Sequence, residues 1–150
     1  MKMTEQMKHA QANMDPGIIT QTGFLGDDTR NIVDIIEADE EKMRLLGLDF
    51  DIVAEKLTYL LTEGRNGLGE PTTVDEVFIV KVDEARGYLA CPFEDGIYRK
   101  LTATITNKKS GNNLICTDLS IHLLEEHHFL EGKGSTFRLE PDRIKLVLEL

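Results

Sequence analysis

The spacing of apolar residues changes midway along this chain of 150 residues, and that change constrains the fold more than any other feature. Between Asp27 and Gly64 the apolar residues recur three or four positions apart, as they do in amphipathic helices. From Val74 onward they mostly alternate with polar residues, as they do in half-buried strands. A helix-rich part followed by a strand-rich part predicts the α+β fold class rather than repeated strand–helix–strand units.

The helix-rich part is predicted over residues 27–64. Its first helix follows a group of capping residues and ends at Gly47, because glycine readily adopts the left-handed conformation that closes a helix. A second helix is predicted to begin near Asp49 or Asp51 and to stop at Gly64. Each helix has one apolar face, so we expect the two to form a layer that covers the sheet.

The sheet-rich part is predicted over residues 74–150 and is expected to be mainly antiparallel, because short turns separate its strands. Residues 144–150 alternate, which favours a strand, although Pro141 is equally suited to begin a helix. One later helix, capped near Thr117 and ended by Gly132, would join the N-terminal helices in a two-layer packing on the sheet. Strands are predicted at residues 77–82, 88–91, 101–106 and 114–116, and turns at residues 83–87 and 107–112.

A single domain with its own core suits a chain of this length, which should bury roughly 68–70% of its unfolded surface. Its content of 41% apolar and 29% charged residues is that of an ordinary globular protein. Residues 1–16 are polar and end at a helix-breaking Asp-Pro-Gly sequence, so we expect a flexible tail before one domain over residues 17–150. The apolar runs are only a few residues long, which predicts neither a membrane span nor a signal peptide.

The chain is acidic, with a formal net charge of −10. Between Asp27 and Glu55, ten carboxylates accompany only three basic residues. Proteins bind phosphate backbones through Lys and Arg, whereas a surface rich in carboxylates repels them, so we predict no nucleic-acid partner. We interpret the acidic surface as one that keeps the protein soluble. Two cysteines do not make a disulfide framework, and we interpret Cys91 and Cys116 as reduced, buried thiols of a cytoplasmic protein.

Three of the four histidines lie between Thr117 and Ser135, which makes this segment the first place to look for a chemical site. On a straight helix His127 falls within the apolar arc, whereas His122 lies about 140° away around the axis. This angle predicts that the two histidines cannot reach one metal ion and that His122 belongs to a solvated polar face. The spacing of five residues also breaks the two-histidine zinc-protease motif, which needs four.

The pattern allows a different metal site with ligands from separate elements, because His127 faces the predicted strands that carry Cys91 and Cys116. A zinc ion would take these three side chains as ligands, with a water molecule or His128 as the fourth. The alternative interpretation is that His127 is a core-facing imidazole hydrogen-bonded to a carbonyl or carboxylate, as buried polar groups usually are.

The loop that follows these histidines is a candidate anion site. Lys133, Ser135 and Arg138 supply basic and hydroxyl groups, and the neighbouring glycines would let the main chain approach a small anion or carboxylate. A glycine-cornered turn between a helix and a strand explains the same residues equally well.

Two blocks, Gly23–Arg30 and Glu126–Ser135, resemble segments of small bacterial proteins with no assigned activity. The resemblance implies a bacterial cytoplasmic source and supplies no site. The function predicted from the residues is a non-enzymatic binding or assembly module that forms a homo-oligomer, through an exposed edge strand at residues 144–150. The alternative is a metal-binding protein or metal-dependent enzyme that uses His127 with Cys91 and Cys116.

Overall fold

A computed structural model describes residues 2–150, which form five helices and a four-stranded antiparallel sheet in the order β1-β2-β3-β4. Helices pack on this sheet, so the α+β prediction is confirmed. The helices are α1 (Glu5–Asn13), α2 (Ile32–Leu45), α3 (Phe50–Arg65), α4 (Asp118–His127) and α5 (Pro141–Leu148), and the strands are β1 (Thr72–Val74), β2 (Phe78–Ala90), β3 (Ile97–Asn107) and β4 (Asn113–Thr117).

The two predicted N-terminal helices are present, and polar side chains cap both of them. The carboxamide of Asn31 accepts a hydrogen bond from the main-chain N–H of Asp34 at 2.9 Å, and α2 begins one residue after it. The carboxylate of Asp49 accepts from Ile52 at 3.1 Å and begins α3. Such caps satisfy N–H groups that have no partner within the helix, which is why short polar residues mark helix starts in the sequence.

Gly64 was predicted to end α3, but it lies inside the last turn of that helix. A Cβ atom at this position would lie 2.4 Å from Cγ1 of Val80 and 2.9 Å from Cγ2 of Val82. The glycine therefore allows the helix to approach β2 closely. Sequence periodicity could not separate this role from that of a helix terminator, because both require the smallest residue.

The predicted turn at residues 83–87 is also wrong, because β2 continues from Phe78 to Ala90. A bulge between Ala85 and Tyr88 shifts the register with β3, and Gly87 adopts a φ of +92° there. A glycine with positive φ serves a bulge as well as a turn. The continuous strand matters for the site, because it extends the β2–β3 hairpin well beyond β1 and β4 and carries the hairpin loop to α4.

Two hydrophobic clusters pack against this extended hairpin. Leu101 and Tyr98 lie on opposite faces of β3 by strand alternation, and they contribute to different clusters. The larger cluster lies between the sheet, α3 and α5, whereas the smaller one joins α1, α2 and the far end of the hairpin. Helix α4 belongs to both, with Leu124 in the larger cluster and Leu123 in the smaller. Its position between the clusters places its histidines beside the hairpin loop.

The N-terminal residues form α1 instead of the predicted flexible tail. The hydroxyl of Thr4 caps the helix, and Ala10 and Met14 are buried in the smaller cluster. The helix-breaking sequence that begins at Asp15 ends α1 rather than preventing it. The tail prediction failed because the buried surface of α1 amounts to a few side chains, which gives a weak periodic signal.

The C-terminal segment forms α5, so the favoured strand prediction for residues 144–150 is wrong and the alternative based on Pro141 is right. Pro141 occupies the first turn, and Ile144, Val147 and Leu148 are buried at helical spacing. Leu146, which belonged to the apolar face of the predicted strand, is 57% exposed. The edge strand on which the prediction of self-association rested is therefore absent from residues 2–150.

No helix within the described residues is long and apolar enough to cross a membrane.

Candidate metal centre

The loop that joins β2 and β3 presents two potential ligands. The main-chain N–H of Cys91 donates to the carbonyl of Gly96 at 2.9 Å, and the N–H of Glu94 donates to the carbonyl of Cys91 at 2.9 Å. These bonds close a tight turn that turns Asp95 towards α4. Asn13, the last residue of α1, donates to the carbonyl of Pro92 at 2.9 Å and thereby holds the loop from its other side.

Helix α4 supplies the other two ligands from its last two turns. Thr117 and Ser120 form a reciprocal capping box that fixes its start directly after β4. The helix ends at His127, five residues before the predicted stop at Gly132, because His128 adopts a left-handed conformation with a φ of 52°. The early end leaves the side chain of His127 at the helix terminus, next to the hairpin loop.

The carboxylate of Asp95 lies at the centre of the site. Nε2 of His122 lies 3.0 and 3.1 Å from its two oxygens, and Nε2 of His127 lies 2.7 Å from one of them. The Sγ atom of Cys91 lies 3.9 Å from Nε2 of His127. One ligand atom from each of these four residues lies within 4.8 Å of all the others.

Aromatic rings hold both imidazoles in place. His127 stacks on Phe93 with centroids 4.0 Å apart, and His122 stacks on Tyr98 with centroids 4.3 Å apart. The hydroxyl of Tyr98 is also 2.9 Å from Nδ1 of His122. The exposed fractions of the His122 and His127 side chains are only 12% and 19%. His122 is thus a packed member of the site and not the solvated residue that the sequence predicted.

Charge in the site is concentrated on Asp95. Burial alone would raise the pKa of Asp95, but hydrogen bonds from the Cys91 thiol and from His122 and His127 outweigh it and hold the pKa at about 2. Burial, with a smaller contribution from Asp95, raises the pKa of the Cys91 thiol to about 12. At neutral pH without a metal, the site therefore contains a carboxylate surrounded by hydrogen-bond donors and a protonated thiol.

This arrangement does not fit a cysteine nucleophile activated by a catalytic triad. In such a triad the base uses one ring nitrogen for the nucleophile and the other for its orienting carboxylate. Here Sγ of Cys91 and the carboxylate of Asp95 both lie against Nε2 of His127. The raised pKa of Cys91 also opposes nucleophilic chemistry, because only the thiolate attacks.

The four groups do fit a divalent transition metal. A tetrahedral zinc ion with bonds of roughly 2.0–2.3 Å separates its ligand atoms by about 3.3–3.7 Å. The separations of 2.7 to 3.1 Å between the imidazoles and Asp95 would widen slightly, and the 3.9 Å between Cys91 and His127 would shorten slightly. These separations would each change by less than about 1 Å, and all the ligand atoms already lie within 4.8 Å of one another.

The sequence predicted two of these four residues as ligands. Cys91 and His127 come together as predicted, and the contact between His127 and Asp95 also matches the alternative of an imidazole bound to a carboxylate. The predicted ligand Cys116 is fully buried in the larger hydrophobic cluster, outside the group. His128, proposed as the fourth ligand, instead contacts Glu40 at 2.7 Å and stacks on a phenylalanine of α3.

Asp95 and His122 are the two members of this group that sequence reasoning missed. Asp95 lies in a short Cys-to-Gly loop only four residues after Cys91, a spacing that indicates a shared loop once the hairpin is recognised. The false turn at residues 83–87 concealed that hairpin. His122 was set aside because the helical angle describes where Cβ points, whereas Nε2 lies beyond Cβ and can turn towards a shared partner.

The predicted anion-binding residues have carboxylate partners within the chain. The guanidinium of Arg138 donates to both oxygens of Asp39 at 2.8 and 2.9 Å. The hydroxyl of Ser135 donates to Glu131 at 2.7 Å, and the main-chain N–H of Lys133 donates to an aspartate at 3.2 Å. The contact with Asp39 joins the loop to α2 and pairs the guanidinium of Arg138 with a carboxylate, and the anion site stays a prediction.

No protein-family model matches the sequence, and comparisons with curated proteins and with solved structures found no match either.

Proposed function

We propose that this chain is a non-enzymatic metal-binding protein that holds one zinc or similar divalent transition-metal ion. The ligands are Sγ of Cys91, a carboxylate oxygen of Asp95, and the Nε2 atoms of His122 and His127. The observation that carries the proposal is the convergence of these four atoms within 4.8 Å from two separate elements of the fold. Resemblance to bacterial proteins contributes nothing to it.

The donor set selects the type of metal. One sulfur and two imidazole nitrogens suit zinc and its neighbours in the first transition series, whereas calcium and magnesium require mainly oxygen ligands. Cysteine, histidine and a carboxylate are all established zinc ligands, and four of them complete a tetrahedral shell. Because the protein supplies all four positions, no place is reserved for a substrate or a reactive water, which favours metal binding over catalysis.

Tyr98 and Phe93 would act as the supporting shell. Metal coordination uses the lone pair of Nε2, so the proton of His122 must then lie on Nδ1, from which it would donate to the hydroxyl oxygen of Tyr98 at 2.9 Å. The stacked ring of Phe93 limits the orientation of His127 in the same way. Such partners increase metal affinity because they restrict the imidazoles to the coordinating geometry.

The experiment is a metal titration with matched variants. We expect the wild-type protein to bind close to one equivalent of Zn²⁺, measured by competition with a chelating dye and by elemental analysis. Replacing the zinc with Co²⁺ should give the intense visible bands of tetrahedral cobalt, together with a sulfur-to-cobalt band that reports the thiolate. Cys91→Ser should abolish the sulfur band, and His122→Ala should weaken binding strongly.

The chain provides a control for the cysteine ligand and one for the histidine ligands. Cys116→Ala and His128→Ala remove the other candidate cysteine and histidine without touching the proposed shell, so both should bind Zn²⁺ as the wild type does. Chelation of the metal should lower the melting temperature of the wild type and leave that of His122→Ala unchanged. Failure of the wild type to retain Zn²⁺, or equal affinity in Cys91→Ser and the wild type, would show that the cluster is only a hydrogen-bonded network.

A further inference from the structure

Two adjoining cavities lie at the opposite end of α4 from the metal centre. The outer cavity has a volume of about 320 Å³ and the inner one about 70 Å³. Leu89, Thr117, Leu119 and Phe137 line both, so these side chains form the boundary between them. Their combined size is at the lower end of that of small-molecule sites.

The two cavities differ in chemistry. The outer one is lined largely by apolar side chains of the hairpin and α4, including Leu101 and Leu119, and also by two acidic and two basic residues of β2 and β3. The inner one is lined by one carboxyl-bearing residue, Glu131, and by five hydroxyl-bearing residues, Thr20, Thr22, Thr117, Ser135 and Thr136. Both linings are mainly apolar, and a mainly apolar cavity with one buried carboxyl group at its inner end suits an amphiphilic small molecule.

Glu131 is the unusual member of this lining. It is only 4% exposed, and its side chain accepts a hydrogen bond from Ser135 at 2.7 Å. Arg138 lies nearby, but its guanidinium donates to Asp39, to Glu140 and to the main-chain oxygen of Glu131 rather than to the Glu131 carboxylate. Burial accordingly outweighs both neighbours and raises the pKa of Glu131 to about 7.

We propose that the joined cavities bind a small amphiphilic amine, with its ammonium group against Glu131 and its hydrocarbon body against Leu119 and Phe137. An ammonium group donates three hydrogen bonds, and the carboxylate of Glu131 with the hydroxyls of Ser135 and Thr20 supplies acceptors for them. The ligand also brings a positive charge into direct contact with the buried carboxylate, which Arg138 does not do. The net charge of −10 on the whole chain also favours the approach of a cation over that of an anion.

This proposal does not involve the metal centre and can fail or succeed independently of it. The test compares three probes of equal chain length, which are hexylamine, hexanol and hexanoate, titrated into ¹⁵N-labelled full-length protein. Hexylamine should give saturable shifts of the amide signals of Thr117, Leu119 and Phe137. Hexanol should bind at least about tenfold more weakly, because it cannot pair with a carboxylate, and hexanoate more weakly still.

Glu131→Gln retains the size of the side chain and its acceptor for Ser135 but cannot carry charge, so it should lose about tenfold in hexylamine affinity and bind hexanol as before. Glu126→Gln, an exposed substitution on α4, should leave all three affinities unchanged. Phe137→Ala should weaken hexylamine and hexanol together, and it tests the apolar chamber even if Glu131→Gln does not fold. Equal affinity for hexylamine and hexanoate, no saturable binding of hexylamine, or shifts that map elsewhere would overturn the proposal.

Discussion

His122 and His127 lie five residues apart on α4, yet their imidazole rings are 5.3 Å apart and nearly perpendicular, with an interplanar angle of 80°. The shared partner Asp95 accounts for this relationship, because both Nε2 atoms are within hydrogen-bonding distance of its carboxylate. The same carboxylate and two imidazoles would be ligands of a bound metal ion, so the metal-free protein already holds them close together. The contact is formed by tertiary structure, since Asp95 comes from the hairpin loop.

Removal of the hydroxyl of Tyr98 is expected to weaken metal binding without removing a ligand. In Tyr98→Phe the stack on His122 remains, but the hydrogen-bond partner of Nδ1 is lost. Loss of such a partner typically costs roughly 10–100-fold in metal affinity. Competition with a chelating dye measures the change. Tyr88→Phe, at a 56% exposed position on the same hairpin, is the control and should bind as the wild type does.

The stability of the protein should fall as the pH rises through the titration of Glu131. Burial raises the pKa of Glu131 from 4.5 to about 7, so the folded state holds a proton that the unfolded state releases between these values. Stability is therefore lost with increasing pH from about 4.5 to about 7, by roughly 3 kcal/mol in total.

Glu131→Gln isolates this contribution, because it remains neutral at every pH. In urea titrations the variant should match the wild type near pH 4.5 and exceed it in unfolding free energy above pH 7. A difference between the two proteins that does not change with pH would contradict the assignment of the raised pKa to Glu131.

Gly64→Ala should destabilise the protein although alanine is the better helix former. The added Cβ would lie 2.4 Å from Cγ1 of Val80, and the resulting strain should outweigh the gain in helix propensity of about 1 kcal/mol. Chemical denaturation measures the loss. The double variant Gly64→Ala with Val80→Ala removes the nearest clashing methyl group and leaves only that of Val82, so it should be more stable than the sum of the single effects predicts. Additive effects would show that α3 can move away from β2.

Asp39→Asn should be strongly destabilising, because it leaves the charge of Arg138 buried beside a neutral partner. The side chains of the two residues are only 5% and 6% exposed. Breaking a buried ion pair in this way costs roughly 3–5 kcal/mol. The remaining ion pair between Arg138 and Glu140 should reduce this cost. Glu41→Gln, which disrupts the exposed pair with Arg44, should change the unfolding midpoint very little. Similar effects of both substitutions would contradict the importance of burial.

Met14→Ala tests whether α1 belongs to the folded domain. Met14 is fully buried in the smaller cluster, and truncating such a side chain costs roughly 2–5 kcal/mol. A residue in a flexible tail would show no effect. Urea denaturation distinguishes the two outcomes, and substitution of the exposed neighbour Asp15 by alanine controls for changes in local sequence.

Much of the fold follows from local patterns in the sequence. Apolar spacing together with capping residues such as Asp49 located α2 and α3 to within a few residues, because caps and amphipathic faces are properties of neighbouring positions. Alternation located the central parts of the strands for the same reason. It could not distinguish a bulge from a turn at Gly87, because both use the same backbone conformation.

The site, in contrast, depends on contacts that local patterns do not encode. The sequence alone identified His127 and Cys91 as chemically suitable, but it had no means of pairing them with Asp95 and His122 instead of Cys116 and His128. That choice depends on the unbroken course of β2, which carries the hairpin loop to the end of α4, and on the burial of Cys116 in the other hydrophobic cluster. The packing of the hairpin loop against α4 determines where these side chains point, so only the tertiary structure decides which of them come into contact.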